Sequence, residues 1–142
     1  MIGGQGEKKT LRMVAQYADE SNLTGEVKDI PRKLEVLAEH CDRLGRDRSE
    51  IVVTKLMMIV VAPTMEEAEA DLAEIATVKG WGDAAMNMVR KLLIFGDADA
   101  VGERIAEAVA MGLDGITVDL PVNGHKPERI ELLGRIALKA LA

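Results

Sequence analysis

Three glycines in four positions, Gly3, Gly4 and Gly6, stand in the stretch Met1-Ile2-Gly3-Gly4-Gln5-Gly6-Glu7-Lys8-Lys9-Thr10-Leu11, directly ahead of an amphipathic segment. Glycine reaches backbone angles closed to other residues and lets a ligand come close to the main chain. A glycine turn that feeds a helix presents free N–H groups and the positive end of the helix dipole, which is a geometry for binding phosphate. The spacing is neither the dinucleotide fingerprint nor a Walker loop. The local pattern leaves two readings open: an anion cradle, or a flexible N-terminal tail. The remaining reactive side chains offer less. Cys41 lies on an apolar helical stripe and reads as an inert core thiol, and His40 beside it has no metal-ligand spacing to another candidate. No residue is assigned a catalytic or metal-binding role.

The elements that must position the glycines follow from periodicity. Leu11, Val14, Ala15 and Ala18 recur at helical spacing, and Asn22 and Gly25 are expected to stop that helix. Ile30, Leu34, Leu37, Cys41 and Leu44 predict a second helix, with Asp29 as N-cap, Pro31 in its first turn and Gly45 as its stop. Residues 51–61 form a nearly continuous apolar run rich in β-branched residues, the pattern of a parallel strand buried on both faces. Thr64 with Glu67 predicts a capping box for a third helix, whose acidic run, Glu66, Glu67, Glu69, Asp71 and Glu74, is expected to be its solvated face. Residues 84–93 suit a short helix, and Ile94-Phe95-Gly96 the end of a short strand. Asp97 or Asp99 caps the next helix. Residues 115–121 read as a strand, Asn123-Gly124 as a turn, and the final helix places Ile130, Leu133, Ile136, Ala137 and Leu141 on one face. Strands separated by long helical segments imply parallel β/α units.

Bulk properties narrow the class. A chain of 142 residues, 48% apolar and 30% charged, implies a single globular domain over residues 1–142. A net charge of −6, with scattered basic residues, argues against a nucleic-acid partner. No apolar run is long enough to span a bilayer, and a single cysteine suits a reducing compartment, so a cytoplasmic location is expected. With an aromatic content of 2%, eight methionines supply adaptable core volume.

Residues 2–11, followed by Val14-Ala15-Gln16-Tyr17-Ala18-Asp19, closely resemble a segment of the luciferase-like monooxygenase superfamily, best in its branch of deazaflavin (coenzyme F-420)-dependent oxidoreductases. There a strand ends in a Gly-Gly-x-Gly-Glu loop, then a helix carries Thr-Leu and Tyr-Ala-Asp. Residues 33–51 are similar to the family's segment with His-Cys, Gly-Arg-Asp and Glu-Ile. Residues 96–104, then Gly112-Leu113-Asp114-Gly115, resemble its late helix and last barrel strand, and residues 127–141 its terminal helix. The resemblance implies an α/β fold: parallel β/α units forming the C-terminal part of a TIM-type (β/α)8 barrel, incomplete in this chain, since the family's barrels are about twice this length or more. It implies that Gly3, Gly4, Gln5, Gly6 and Glu7 bind the phosphate of coenzyme F-420 or FMN through backbone groups. It implies an oxidoreductase or monooxygenase portion that is not catalytic alone; the alternative is a non-enzymatic flavin- or partner-binding module. Asp119, at the end of the last strand, is the best polar candidate at a barrel's C-terminal face, yet it and His125 read more simply as surface groups. A partial barrel leaves strand edges and an apolar sheet face open, so a homodimer is expected, or pairing with a complementing barrel portion.

Overall fold

A computed structural model of the chain describes residues 1–141. In order, it contains β1 (Ile2–Gly3), α1 (Thr10–Tyr17), β2 (Glu20–Leu23), α2 (Ile30–Leu44), β3 (Val52–Ala62), α3 (Met65–Lys79), α4 (Asp83–Leu92), β4 (Ile94–Asp97), α5 (Ala98–Ala110), β5 (Gly115–Asp119) and α6 (Pro127–Leu141). The chain divides into two compact units. The first holds residues 1–56 and 108–117, and the second holds the rest.

In the first unit β1 pairs in parallel with β2, and β2 with β3, placing Gly3 opposite Asn22 and Asn22 opposite Thr54. β5 also pairs with β3. The turn before β5 is tied down by Asp114, whose amide donates to the Val53 carbonyl at 2.9 Å and whose carboxylate accepts from the Val53 amide at 2.7 Å. The α1 stripe is buried as its spacing predicts, at Leu11, Val14 and Ala15, and α1 packs on α2, which buries Val36, Leu37 and Cys41. Burial pushes the Cys41 thiol up, in keeping with an inert core residue. Gly45 ends α2 in the left-handed conformation. Asp29 stands at the N-cap position but its side chain makes no capping bond. Asn22 is no helix stop: α1 ends at Tyr17, and Asn22 sits inside β2, a strand the periodicity does not disclose.

In the second unit Ile59–Ala62 pair in parallel with Ile94–Asp97, so the short apolar run after α4 is a strand. Val60, Leu72 and Val122 form its core, with Trp81 and Phe95 packed at the margin. The Thr64 hydroxyl accepts from the Glu67 amide at 3.2 Å, half of the expected capping box. The other half is missing because the Glu67 carboxylate accepts instead from Arg129 at 3.0 Å. Asp97, rather than Asp99, caps α5, accepting from the Ala100 amide at 3.0 Å.

Three further expectations give way. Asp71 does not belong to a solvated face: it is 4% exposed and accepts hydrogen bonds from Asn123, Lys126 and Arg129. On α6 Arg129 is buried together with the expected Leu133, while Ile130 points to solvent. And β3 is buried on one face only along residues 52–58. Val53, Lys55 and Met57 are covered, whereas Val52, Leu56 and Met58, on the opposite pleat, are exposed.

Candidate functional site

The glycine loop leaves the end of β1 and turns into α1. Gly4 keeps the sheet going by one bond, its amide donating to the Asn22 carbonyl at 3.0 Å, and then turns at φ +135°, a region that L side chains avoid. The glycines are also needed for space. A Cβ on Gly4 would stand 3.1 Å from Thr10 Cγ2, and one on Gly6 2.9 Å from Thr10 Oγ1. The loop is thus wrapped around the first side chain of α1, and a bulkier residue at either glycine would push that side chain out.

Past Gly4 the chain runs toward the helix. The Leu11 amide donates to the Gly6 carbonyl at 3.0 Å, and the Met13 amide to the Lys9 carbonyl at 3.0 Å. The amides of residues 5–10 find no backbone acceptor among the described residues. Of these only Thr10 belongs to α1; the amides of residues 5–9 lie in the largely exposed loop that leads to its positive end. Lys9 occupies the N-cap position and offers no side-chain cap, so nothing of α1 itself takes those donors.

The two ends of the loop are held by α2 and by the segment after β2. The Glu7 carboxylate accepts from Lys33 at 2.8 Å, with Arg32 at 3.6 Å, and the Lys33 hydrogen bond draws its pKa below the ordinary glutamate value. His40 Nε2 lies 2.8 Å from the Glu7 carbonyl oxygen, suited to donation by Nε2–H. Gln5 lies against Gly25: a Cβ there would stand 2.1 Å from Gln5 Oε1. Of the five residues predicted for this site, Gly4 and Gly6 therefore shape the turn, while Gly3 ends β1 opposite Asn22, where a side chain would fit. Glu7 acts as an anchor whose carboxylate is already engaged, and Gln5 covers a neighbouring turn. Lys8 and Lys9 are exposed.

Three further groups at this site were not foreseen from the residues: Lys33 and His40, which hold Glu7, and Thr10, which fills the glycine turn. All three lie on helical segments where their spacing reads as ordinary surface. Beside the loop, Asn22 Nδ2 donates to Thr54 Oγ1 at 2.9 Å and to Thr117 Oγ1 at 2.7 Å, a polar row across β2, β3 and β5. Asp119 and His125 are both exposed.

No family model matches the sequence, and no curated protein matches it. Solved structures do match the fold. The coenzyme F-420-dependent tetrahydromethanopterin reductase from Methanopyrus kandleri superposes with a TM-score of 0.73 at 20% identity, over 99% of this chain and 50% of that one. The oxygenating constituent of 3,6-diketocamphane monooxygenase from Pseudomonas putida, solved in complex with FMN, gives 0.70 at 16% identity, over 99% and 48%. EDTA monooxygenase from Chelativorans sp. BNC1 gives 0.73 at 15% identity, over 99% and 43%. These neighbours belong to the luciferase-like monooxygenase family. The chain spans about half their length, and over that span it has the parallel β/α fold of the luciferase-like monooxygenases.

Proposed function

We propose that this chain supplies the phosphate-holding loop and part of the wall of a luciferase-like flavin or deazaflavin oxidoreductase, and that it does not turn over substrate alone. The observation that carries this reading is the turn at Gly4, with its unclaimed amides at the start of α1. A phosphate suits this donor set: backbone N–H groups of a loop whose glycines fold it closely around Thr10, and a glutamate whose charge is already neutralised by Lys33. Gly3, Gly4, Gln5, Gly6 and Glu7 would hold the phosphate through their main chain. The cofactor, FMN or coenzyme F-420, would supply the hydride or oxygen chemistry when bound. The neighbours' own cofactors, coenzyme F-420 in one and FMN in another, support that choice of ligand.

The barrel-wall part of the reading rests on the exposed pleat of β3, Val52, Leu56 and Met58, which a second copy of this chain would cover in a homodimer. A complementing chain with the missing strands is the alternative cover. Among the described residues no helix is long and apolar enough to cross a membrane, and the lone, buried Cys41 suits a reducing, cytoplasmic setting.

Titration with FMN and with coenzyme F-420 tests the reading. Binding of one of them at micromolar concentration is expected, and Gly4→Asp is expected to abolish it, because the substitution adds a negative charge to the loop, crowds Thr10 and strains a φ of +135°. Failure of both cofactors to bind a folded wild-type chain would leave the module without its proposed ligand. Turnover of reduced cofactor by the purified chain would overturn the view that it is inactive alone.

A further inference from the structure

The second unit of the chain holds a cavity of about 400 Å³ that involves neither the glycine loop nor the polar row of Asn22. The end of α4, the strand β4 and the first two turns of α5 build its wall. Leu93, Ile94 and Phe95 form the apolar side, and all three are only half buried. They stay uncovered because β4 pairs with β3 along one edge, and no strand among the described residues covers the other. Phe95, the only phenylalanine in the chain, packs on the core of Val60, Leu72 and Val122 and also lines the cavity. Packing thus fixes a ring that is still open on one side.

The polar side carries both signs of charge. Arg104 and Glu103 line the cavity, and among the described residues neither makes an ion pair or a side-chain hydrogen bond. Neighbours along α5, they point apart and do not pair with one another. Arg90 pairs with Glu69 through Nη2, so that pair leaves little net charge. What remains is one guanidinium, one carboxylate and a hydrocarbon wall. An anion alone would leave Glu103 facing it, and a cation alone would meet Arg104. A volume of this size with an apolar lining and a few polar groups suits a small organic molecule.

We infer that this cavity takes a free α-amino acid with an apolar side chain. Its carboxylate would meet Arg104, whose planar fork matches two oxygens. Its ammonium would meet Glu103, and its side chain would lie on Leu93, Ile94 and Phe95. The zwitterion is the class of ligand that engages both unpaired charges and brings no net charge of its own. Every residue of this site lies in the second unit and the glycine loop lies in the first, so the two ligands are recognised by separate residues.

L-phenylalanine, titrated into the nitrogen-15-labelled chain, is the probe. Saturable shifts of the Leu93, Phe95 and Glu103 amides are expected at roughly millimolar concentration, as suits a ligand of this size. Phenethylamine lacks the carboxylate and hydrocinnamate lacks the ammonium; each should bind about fivefold more weakly, the scale of an exposed charge contact. Arg104→Met should erase the difference between L-phenylalanine and phenethylamine, and Glu103→Gln the difference between L-phenylalanine and hydrocinnamate. Both side chains are exposed, so both variants should keep the wild-type circular dichroism. Equal binding of the three compounds to wild type would reduce the cavity to an apolar groove and overturn the assignment. Shifts confined to other residues, or none that saturate, would overturn it as well. Neither substitution touches the glycine loop, so FMN binding by the two variants reports on that loop separately.

Discussion

Asp71→Ala is expected to lower the unfolding free energy by about 4 kcal/mol, measured by urea denaturation. The carboxylate is buried on α3 and collects donors from one stretch of chain: Asn123 Nδ2 at 2.8 Å, Lys126 Nζ at 2.7 Å and Arg129 Nε at 2.8 Å. Asn123 is itself fully buried, and its Nδ2 also donates to the Val61 carbonyl at 2.9 Å. One side chain thus pins the turn after β5 and the first turn of α6 onto α3 and the end of β3. Removing it leaves the Arg129 guanidinium, a buried cation, with only the half-exposed Glu67 carboxylate. Lys126 keeps Glu74 at 2.5 Å and suffers less. Arg129→Ala should cost a comparable amount, and the double variant clearly less than the sum, because the two residues share one network.

The same carboxylate sets an acid limit. Burial alone would raise its pKa, but the hydrogen bonds from Arg129, Lys126 and Asn123 outweigh burial and hold it at about 2, against 3.8 for a free aspartate. A depressed folded-state pKa means that the charged form is the one folding favours. The resulting contribution, about 2 kcal/mol, is fully present above pH ~5 and drains away as pH falls through 3.8 toward 2. Asp71→Asn should therefore flatten the stability profile between pH 5 and about 2 relative to wild type. A variant whose profile runs parallel to wild type in that window would show that other carboxylates dominate the acid limb.

Asp71 also marks the boundary of what the residues disclose by themselves. Helices with an apolar stripe were legible: Leu11, Val14 and Ala15 of α1 and Leu37 and Cys41 of α2 are buried where their spacing puts them. The glycine turn was legible in part: the pattern Gly3-Gly4-x-Gly6 left a flexible tail open beside a bend, and only Gly4 takes the positive φ of such a bend. β2 was not, since Glu-Ser-Asn-Leu carries no strand propensity and is extended only because Val52–Lys55 pair with it. Asp71 was hidden inside an acidic run whose other members do face water. Its partners lie 52 to 58 residues further on, beyond any local pattern. Ile130 leaves the expected stripe for the same reason, while Leu133 keeps it: the inward place in the first turn of α6 goes to Arg129, which Asp71 holds. Lys55 reads as a break in an apolar run until Gly25, 30 residues earlier, is seen against it.

The exposed pleat of β3 gives the other large expected effect. Val52, Leu56 and Met58 alternate with covered residues, and only Thr54 among them is sheltered, by the polar row with Asn22 and Thr117. In a closed barrel this pleat would face the interior and be packed by the opposite strands. Here it is 48% exposed at Val52, 36% at Leu56 and 38% at Met58, a row of aliphatic surface next to strand edges that invites a second sheet. If two copies cover one another there, size exclusion with light scattering at micromolar concentration should give twice the 15.4 kDa chain mass. Leu56→Asp combined with Met58→Asp should return a folded monomer. Burying two unpaired carboxylates costs enough to weaken association at least about a hundredfold, while in the free chain both side chains already meet water. A wild-type protein that runs as a 15.4 kDa monomer would reject self-association and turn the search toward a chain carrying the missing strands. A dimer that survives both substitutions would place the contact on another surface, and the open pleat would then need a different cover.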